Sequence, residues 1–202
     1  MADIQHLLLA AGDSRRMGQP KQLLPWGEKT LIEHQIQIRL FTGLNIIVVL
    51  GGNADKILHV IENLPVTIAV NSDWKNGMGS SLAFGISVQN KKFPESAGVL
   101  ISLLDQPLVT TSYLEKMFSS FQSGHRQIIV SQAASGWIGV PALFDKYYYE
   151  ELKMLNGDEG AKSIIKKHTQ DVKSLQCDLL EDIDTPEAYQ KLLKKFDAKE
   201  NF

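Results

Sequence analysis

The chain has a single cysteine, Cys177, so no intrachain disulfide can form. Its longest apolar runs, such as residues 44–50, are far too short to span a bilayer. A basic excess is also missing: the 202 residues carry a net charge of −2 at pH 7. General nucleic-acid binders usually show such an excess, so that class is set aside, while one small cationic pocket stays open. No repeat or low-complexity tract is present. Residues 1–6 lack the basic start of a secretory leader, and the lone cysteine suits a reducing cytoplasm. The five histidines (His6, His34, His59, His125, His168) show no metal-binding spacing. Neither a Ser-His-Asp pattern nor a Cys-His pair stands out. Cys177 reads as a small buried hydrophobe.

What is present is ordinary for a globular domain: 44% hydrophobic and 22% charged residues, at a length that suits one domain. Five apolar runs without alternation, residues 6–11, 45–50, 66–70, 98–104 and 127–131, predict strands covered on both faces. Helical patterns lie at 30–41, 80–88, 111–121, 146–155 and 161–168. Thr185-Pro186-Glu187 predicts a further helix start, with a capping hydroxyl, a first-turn proline and an acid at the positive end. The charged tail, residues 191–202, is expected to fray. Strand, loop and helix in alternation predict a three-layer α/β/α, Rossmann-like domain with a mostly parallel sheet. In such sheets ligands bind outside the carboxyl ends of the strands, so the loops after strands carry the interest.

The first such loop is Leu9-Ala10-Ala11-Gly12, followed by Arg15, Arg16 and Lys21. Small residues let backbone amides approach a ligand, and three cations follow at once. That combination suits phosphate oxygens. Neither the dinucleotide fingerprint nor Walker A fits its spacing: after Gly12 the next glycine is Gly18, and Gln19-Pro20-Lys21 follows. A plain strand-turn-helix with surface arginines is the bland alternative.

Leu9-Ala10-Ala11-Gly12-x-Ser14-x-Arg16-Met17-Gly18-x-Pro20-Lys21-x-Leu23-Leu24-Pro25 resembles the signature of MobA-like nucleotidyltransferases. The Ala-Ala-Gly and Pro-Lys pairs lean toward the MocA-like branch that makes molybdopterin cytosine dinucleotide. The resemblance runs over nearly the whole chain, about residues 5–193, and implies that this loop wraps a triphosphate held by Arg16 and Lys21. It implies one domain over 1–202, with a nucleotide-binding half near 1–110 and an acceptor-binding half near 111–195.

Four other segments join it. Gly79, Ser80 and Ser81 open a helix, where free amides and hydroxyls could meet a nucleoside; equally, Ser80 could simply cap that helix. The family's similar Asn-x-x-Trp-x-x-Gly-Met-x-Ser-Ser stretch implies nucleoside contact. Asp105, in Asp105-Gln106-Pro107, ends an apolar run at the carboxyl edge, where it could hold a divalent ion or merely shape a turn. It stands where the family carries a metal-binding Asp. Asp182 and Asp184 alternate before Thr185-Pro186; related transferases use the acid directly before Thr-Pro, which favours Asp184 and keeps Asp182 in reserve. Gly139 and Pro141 lie in a segment that resembles the family's Gly-x-Pro-x-Leu-Phe acceptor stretch, although Val140 stands where relatives often have histidine. Gly157-Asp158-Glu159-Gly160-Ala161-Lys162 is similar to the turn Gly-Asp-x-Gly-Ala-Arg, with Lys162 in place of the arginine.

The absence of an obvious general base is consistent with this chemistry. A phosphate monoester is already mostly dianionic at neutral pH, with a second pKa of about 6, and needs no deprotonation to attack. The resemblance implies CTP and molybdenum-bearing molybdopterin as substrates, Mg2+ on Asp105 and Asp184, and Arg16, Lys21 and Asp105 as catalytic groups. It implies transient contact with a molybdenum hydroxylase, and no nucleic acid or membrane. Two alternatives stay open: a nucleotidyltransferase with another nucleotide or phosphate acceptor, and an accessory carrier that delivers molybdenum cofactor to a hydroxylase.

Overall fold

The computed structural model describes residues 3–200. The chain opens with strand β1 (Ile4–Ala10), a small hairpin of β2 (Pro25–Trp26) and β3 (Lys29–Thr30), and helix α1 (Leu31–Leu40). It continues with β4 (Asn45–Leu50), α2 (Ala54–Ile61), β5 (Thr67–Val70), α3 (Met78–Lys92), β6 (Gly98–Leu103) and α4 (Thr111–Ser119). The second half holds β7 (Ile128–Gln132), β8 (Ile138–Asp145), α5 (Tyr149–Lys153), α6 (Lys162–Lys167), β9 (Val172–Gln176) and α7 (Pro186–Glu200).

Seven strands form one sheet in the order β5-β4-β1-β6-β8-β7-β9. Strand β8 runs antiparallel to both neighbours; the other pairings are parallel. Helices cover both faces, and β1 explains why its sequence does not alternate. Leu7 and Leu9 pack with Leu82 and Ile86 of α3, while Leu8 and Ala10 pack with Ile32 and Ile36 of α1. Both faces of the strand are therefore core. The predicted mostly parallel three-layer architecture is what the chain adopts.

Helix α1 starts where its sequence says. Thr30 accepts from the Glu33 backbone amide, and the Glu33 carboxylate returns to the Thr30 amide, closing a capping box. Helix α7 starts at Pro186, with Thr185 Oγ1 accepting from Ala188 N at 3.2 Å.

Several boundaries differ from the sequence pattern. Helix α3 begins at Met78 rather than Ser80, so Ser80 lies inside the first turn and is not its cap. The segment 146–155 divides into a 3₁₀ turn and the short α5. Elements α2, β8 and β9 were not anticipated. Strand β9 is an edge strand of mixed exposure, and β8 contains Gly139 and Pro141. Proline cannot donate to a ladder and is confined to edges or irregularities. Here Pro141 lies just past the last β6–β8 pair, Ile101 with Ala142, where the β7–β8 register also shifts.

The tail corrects an expectation. Residues 191–200 do not fray but complete α7. Leu192 is buried, Phe196 stacks on Trp26 with ring centroids 5.1 Å apart, and Lys191 and Lys195 both pair with Glu181. Charge on one face concealed an apolar stripe on the other. Residues 201–202 lie outside the described residues.

Candidate active site

A cavity of about 430 Å³ opens at the carboxyl ends of β1 and β6. Its walls come from the loop after β1, from Leu103 to Asp105, from the segment before α3, and from Asp158. This is the edge at which the sheet's parallel strands end, as the connection rule for α/β sheets requires.

The loop after β1 is held from within. The buried Gln22 amide donates to the carbonyls of Ala10 and Gly12, both at 2.8 Å. Ser14, in left-handed backbone at φ 58°, accepts from Lys21 N at 2.9 Å. Met17 is buried and anchors the turn. Gly12 differs from these: a Cβ there would meet nothing within 4 Å, and its φ is not left-handed. Nothing in the protein requires glycine at this point. Gly12 is exposed and lines the cavity, so it offers backbone to a ligand with no side chain in between.

Lys21 is the electrostatic centre. Its side chain is only 13% exposed, and Nζ donates to Asp105 Oδ2 at 2.8 Å and to the Ile183 carbonyl at 2.9 Å. Asp184 Oδ1 lies 3.5 Å away, and Arg16 reaches the other oxygen of Asp184 at 3.2 Å. Residues from three parts of the chain thus meet as one cluster. Asp182 belongs to its field: burial pushes its carboxyl up to about 6, the charges of Asp105 and Asp184 push the same way, and the Gln106 amide and Lys21 oppose them. Arg16 is 74% exposed and does not line the cavity; its neighbour Arg15 does, paired with Asp13 at 2.7 Å.

The opposite wall is built by two turns locked together. Gly79 N donates to the Gly157 carbonyl at 2.7 Å, and Gly157 N donates to Asn76 O at 3.0 Å. Gly77 has φ 94°, and a Cβ there would come within 2.4 Å of the Gly157 backbone. The amide of Gly79 is therefore spent inside the protein. Ser80 Oγ is spent likewise, on the carbonyls of Gly77 and Asp73. Of the three, Ser81 lines the cavity, and its hydroxyl accepts from the buried Asn71 amide at 3.1 Å. Lys75 lies over the Trp74 ring, 5.7 Å from its centroid.

Comparison with known proteins names this arrangement. Residues 6–172 match the model of the MobA-like NTP transferase domain. The chain belongs to the MobA-like NTP transferase family. Among its relatives is the nicotine blue oxidoreductase of Paenarthrobacter nicotinovorans, 29% identical over 93% of this chain and 95% of that protein. The molybdenum cofactor cytidylyltransferase of Escherichia coli K12 is 26% identical over 94% and 95%. The crystal structure of Rv0371c from Mycobacterium tuberculosis H37Rv superposes with a TM-score of 0.84 at 29% identity, covering 96% of this chain and 98% of that one. That mycobacterial protein has also been solved as a manganese complex.

A MobA-like NTP transferase is built to transfer nucleotides, and the residues here suit a hard divalent cation. Asp105 Oδ1 is buried with no hydrogen-bond partner among the described residues, while Oδ2 is held by Lys21. The donors at hand are carboxylate oxygens. Among the described residues no group of three or more His, Cys, Asp or Glu is placed to hold a metal unaided. One or two carboxylates completed by substrate phosphates is the way Mg2+ is usually bound. The acceptor candidates of this MobA-like chain stand apart from the cavity. Gly139 lies against Trp137, whose ring a Cβ would approach to 2.4 Å, and the Pro141 carbonyl accepts from Ser131 Oγ at 2.6 Å. Neither lines the cavity, though their end of β8 lies alongside the carboxyl end of β6. From the sequence, Arg15 is only one of three loop cations, Met78 and Asp158 are only members of their motifs, and Gln22 carries no role.

Proposed function

We propose that this transferase moves CMP from CTP to the phosphate of molybdenum-bearing molybdopterin, releasing pyrophosphate and molybdopterin cytosine dinucleotide. One observation carries the reading: Lys21 and Asp105 line the same cavity as Gly12, and Lys21 also reaches Asp184. The E. coli cytidylyltransferase, matched along its length, supports the choice of nucleotide and acceptor.

The chain's own residues then do four things. Ala10, Ala11 and Gly12 present backbone to the triphosphate, and Ser81 takes part in seating the nucleoside. Lys21 and Arg16, released from their carboxylates, neutralise the β- and γ-phosphates. The acceptor phosphate, dianionic at neutral pH, attacks the α-phosphorus; the new P–O bond forms as the α–β bridging bond breaks, and pyrophosphate leaves with that electron pair. Gly139 and Pro141 border the side from which the acceptor enters. Asp105 and Asp184 would hold Mg2+, which supplies further charge neutralisation when bound. Positioning and charge dominate such chemistry, so no general base is required. The first half of the chain then serves the nucleotide and the second half the acceptor. A reducing cytoplasm, and handover to a molybdenum hydroxylase, complete the reading; Cys177 is a buried free thiol, and among the described residues no helix is long and apolar enough to cross a membrane.

The test is pyrophosphate release with Mg2+ and CTP, GTP, ATP or UTP, each with and without molybdenum-loaded molybdopterin. Release with CTP plus pterin alone is the expected result. Release with another nucleotide keeps the mechanism and changes the substrate. Tight pterin binding without release favours the carrier. A second reading rests on the relative from P. nicotinovorans, which is named as an oxidoreductase and matches along its length. Under that reading the chain takes part in a redox reaction, and no nucleotide gives pyrophosphate release in the same assay.

A further inference from the structure

Behind Asp105 lies a cation that the proposed chemistry does not use. Arg39, on α1, has 0% exposure. Its partners are all neutral: Ser102 Oγ at 3.0 Å, the Gln35 backbone carbonyl at 2.7 Å, the Gln35 side-chain carbonyl at 2.8 Å and the Leu103 carbonyl at 3.5 Å. Among the described residues no carboxylate contacts it. Burial lowers its pKa to about 9, so it remains a cation at neutral pH. The same field, with burial first, holds His6 well below the usual histidine range; His6 Nε2 shares Ser102 Oγ with the guanidinium at 2.8 Å. An unpaired buried cation is costly, and an apolar side chain of that length could fill the space without the cost.

The arginine's reach accounts for its presence. The site loop, residues 103–107, has three carbonyls anchored from outside. Leu103 O is held by Arg39, Asp105 O by the Ile183 amide at 2.8 Å, and Pro107 O by the Gln35 side chain at 3.2 Å. Gln35 is in turn fixed by Arg39. Two of the three anchors therefore depend on one guanidinium, and they bracket Asp105. A planar fork with five N–H donors can serve all these acceptors at once, whereas an ammonium cannot.

We infer that Arg39, acting with Gln35, is a positioning residue that sets the backbone on which Asp105 is presented to the cation and triphosphate. The inference rests on the nucleotidyltransferase reading for its consequence in turnover, but its primary readout does not require turnover. Mn2+ affinity is measured by titration calorimetry, with and without a saturating CTP analogue that carries a methylene in place of the α–β bridging oxygen, for the wild type, Arg39→Lys, Arg39→Met and Gln35→Met. Circular dichroism establishes that each variant is folded. The expected result is Mn2+ binding weakened at least tenfold in both Arg39 variants and severalfold in Gln35→Met. Where the wild type transfers nucleotide, kcat falls in parallel while KM for the triphosphate moves less than threefold, because the loop after β1 is untouched.

Wild-type Mn2+ affinity in a folded Arg39 variant overturns the inference, because Arg39 would then serve packing alone. Should both Arg39 variants fail to fold, Gln35→Met decides: unchanged affinity there overturns the inference, and weakened affinity supports it. A wild type that binds no Mn2+ either with or without the analogue overturns it as well. A wild type that binds Mn2+ yet transfers no nucleotide defeats the proposed function and leaves this inference standing.

Discussion

Lys21 and Arg39 serve the two sides of one loop, residues 103–107, and they are held in opposite ways. On the cavity side, Lys21 is partly exposed and meets two carboxylates and a carbonyl. On the core side, Arg39 is fully buried and meets only neutral oxygens. The first cation can exchange its partners for a ligand's phosphates, because those partners tolerate a competing cation. The second cannot exchange anything, since no water or ligand reaches it. A charge meant to act on a substrate is placed where it can be released; a charge meant to hold backbone is placed where it cannot.

The largest effect is expected on the cavity side. Asp105→Ala should lower pyrophosphate release by about 10³-fold while leaving a cooperative thermal transition, since losing one preorganised charge-stabilising group commonly costs about 10²–10³ in rate. Near-normal turnover in the folded variant would remove Asp105 as a cation ligand. Lys21→Ala should cost about 10²-fold in kcat/KM for the triphosphate. If steady-state kinetics give unchanged kcat and KM, Lys21 has no part in the site.

Arg16→Ala sharpens the contrast at the exposed edge. Its pair with Asp184 is 74% and 53% exposed on the two sides. Exposed pairs contribute about 0–1 kcal/mol, so the variant's melting temperature should stay within about 1–2 °C of wild type. Any loss of turnover then reports on phosphate contact rather than on fold. A fall of many degrees would show that Arg16 holds the loop.

The smallest effects separate the two sides by the sign of their pH dependence. On the cavity side, the folded-state pKa of Asp182 is raised from 3.8 to about 6. The folded chain therefore binds the extra proton more readily, and stability from this group is lost as pH rises through that window. Asp182→Asn should raise the melting temperature by about 2 °C at pH 7, with the gain vanishing below about pH 4. A gain that persists in acid would assign it to something other than ionisation. On the core side, His34 is lowered from 6.5 to about 4, by burial first and then by Arg39 and Lys29. Its contribution is present above pH 6.5 and is lost as pH falls toward 4. Thermal melts of His34→Asn should therefore lose less stability than wild type between those limits; an equal loss would place the acid sensitivity elsewhere, with His6 the next group to test.

The fold was legible wherever burial dictated composition. The unbroken apolar runs at β1, β4 and β6 could only be strands covered on both faces. Where exposure or backbone irregularity diluted the pattern, at β8 with its proline and at the edge strand β9, the strands were hidden. The start of helix α7 was legible, but its second half was hidden for the reverse reason: lysines on the outer face outweighed Leu192 and Phe196 on the inner one. At the site, Asp105 could be named because it follows a recognisable strand, and Lys21 because it is a cation in the small-residue loop after another. Arg15 was overshadowed by Arg16, Asp158 stood out only as part of a turn, and nothing local distinguished Gln22 or Arg39.

The sequence by itself determined the class of the molecule: one cysteine, short apolar runs, strands that must be buried, and a small-residue loop followed by cations. These follow from local composition and period, which need no knowledge of neighbours. The tertiary structure alone decided that Lys21 meets Asp105 across 84 positions and Asp184 across 163, and that the Gly79 amide is spent on Gly157. It also decided that Arg39 ends beneath the loop it holds. Side-chain electrostatics act over a few ångströms through space, and no spacing along the chain records which residues the sheet order brings within that reach.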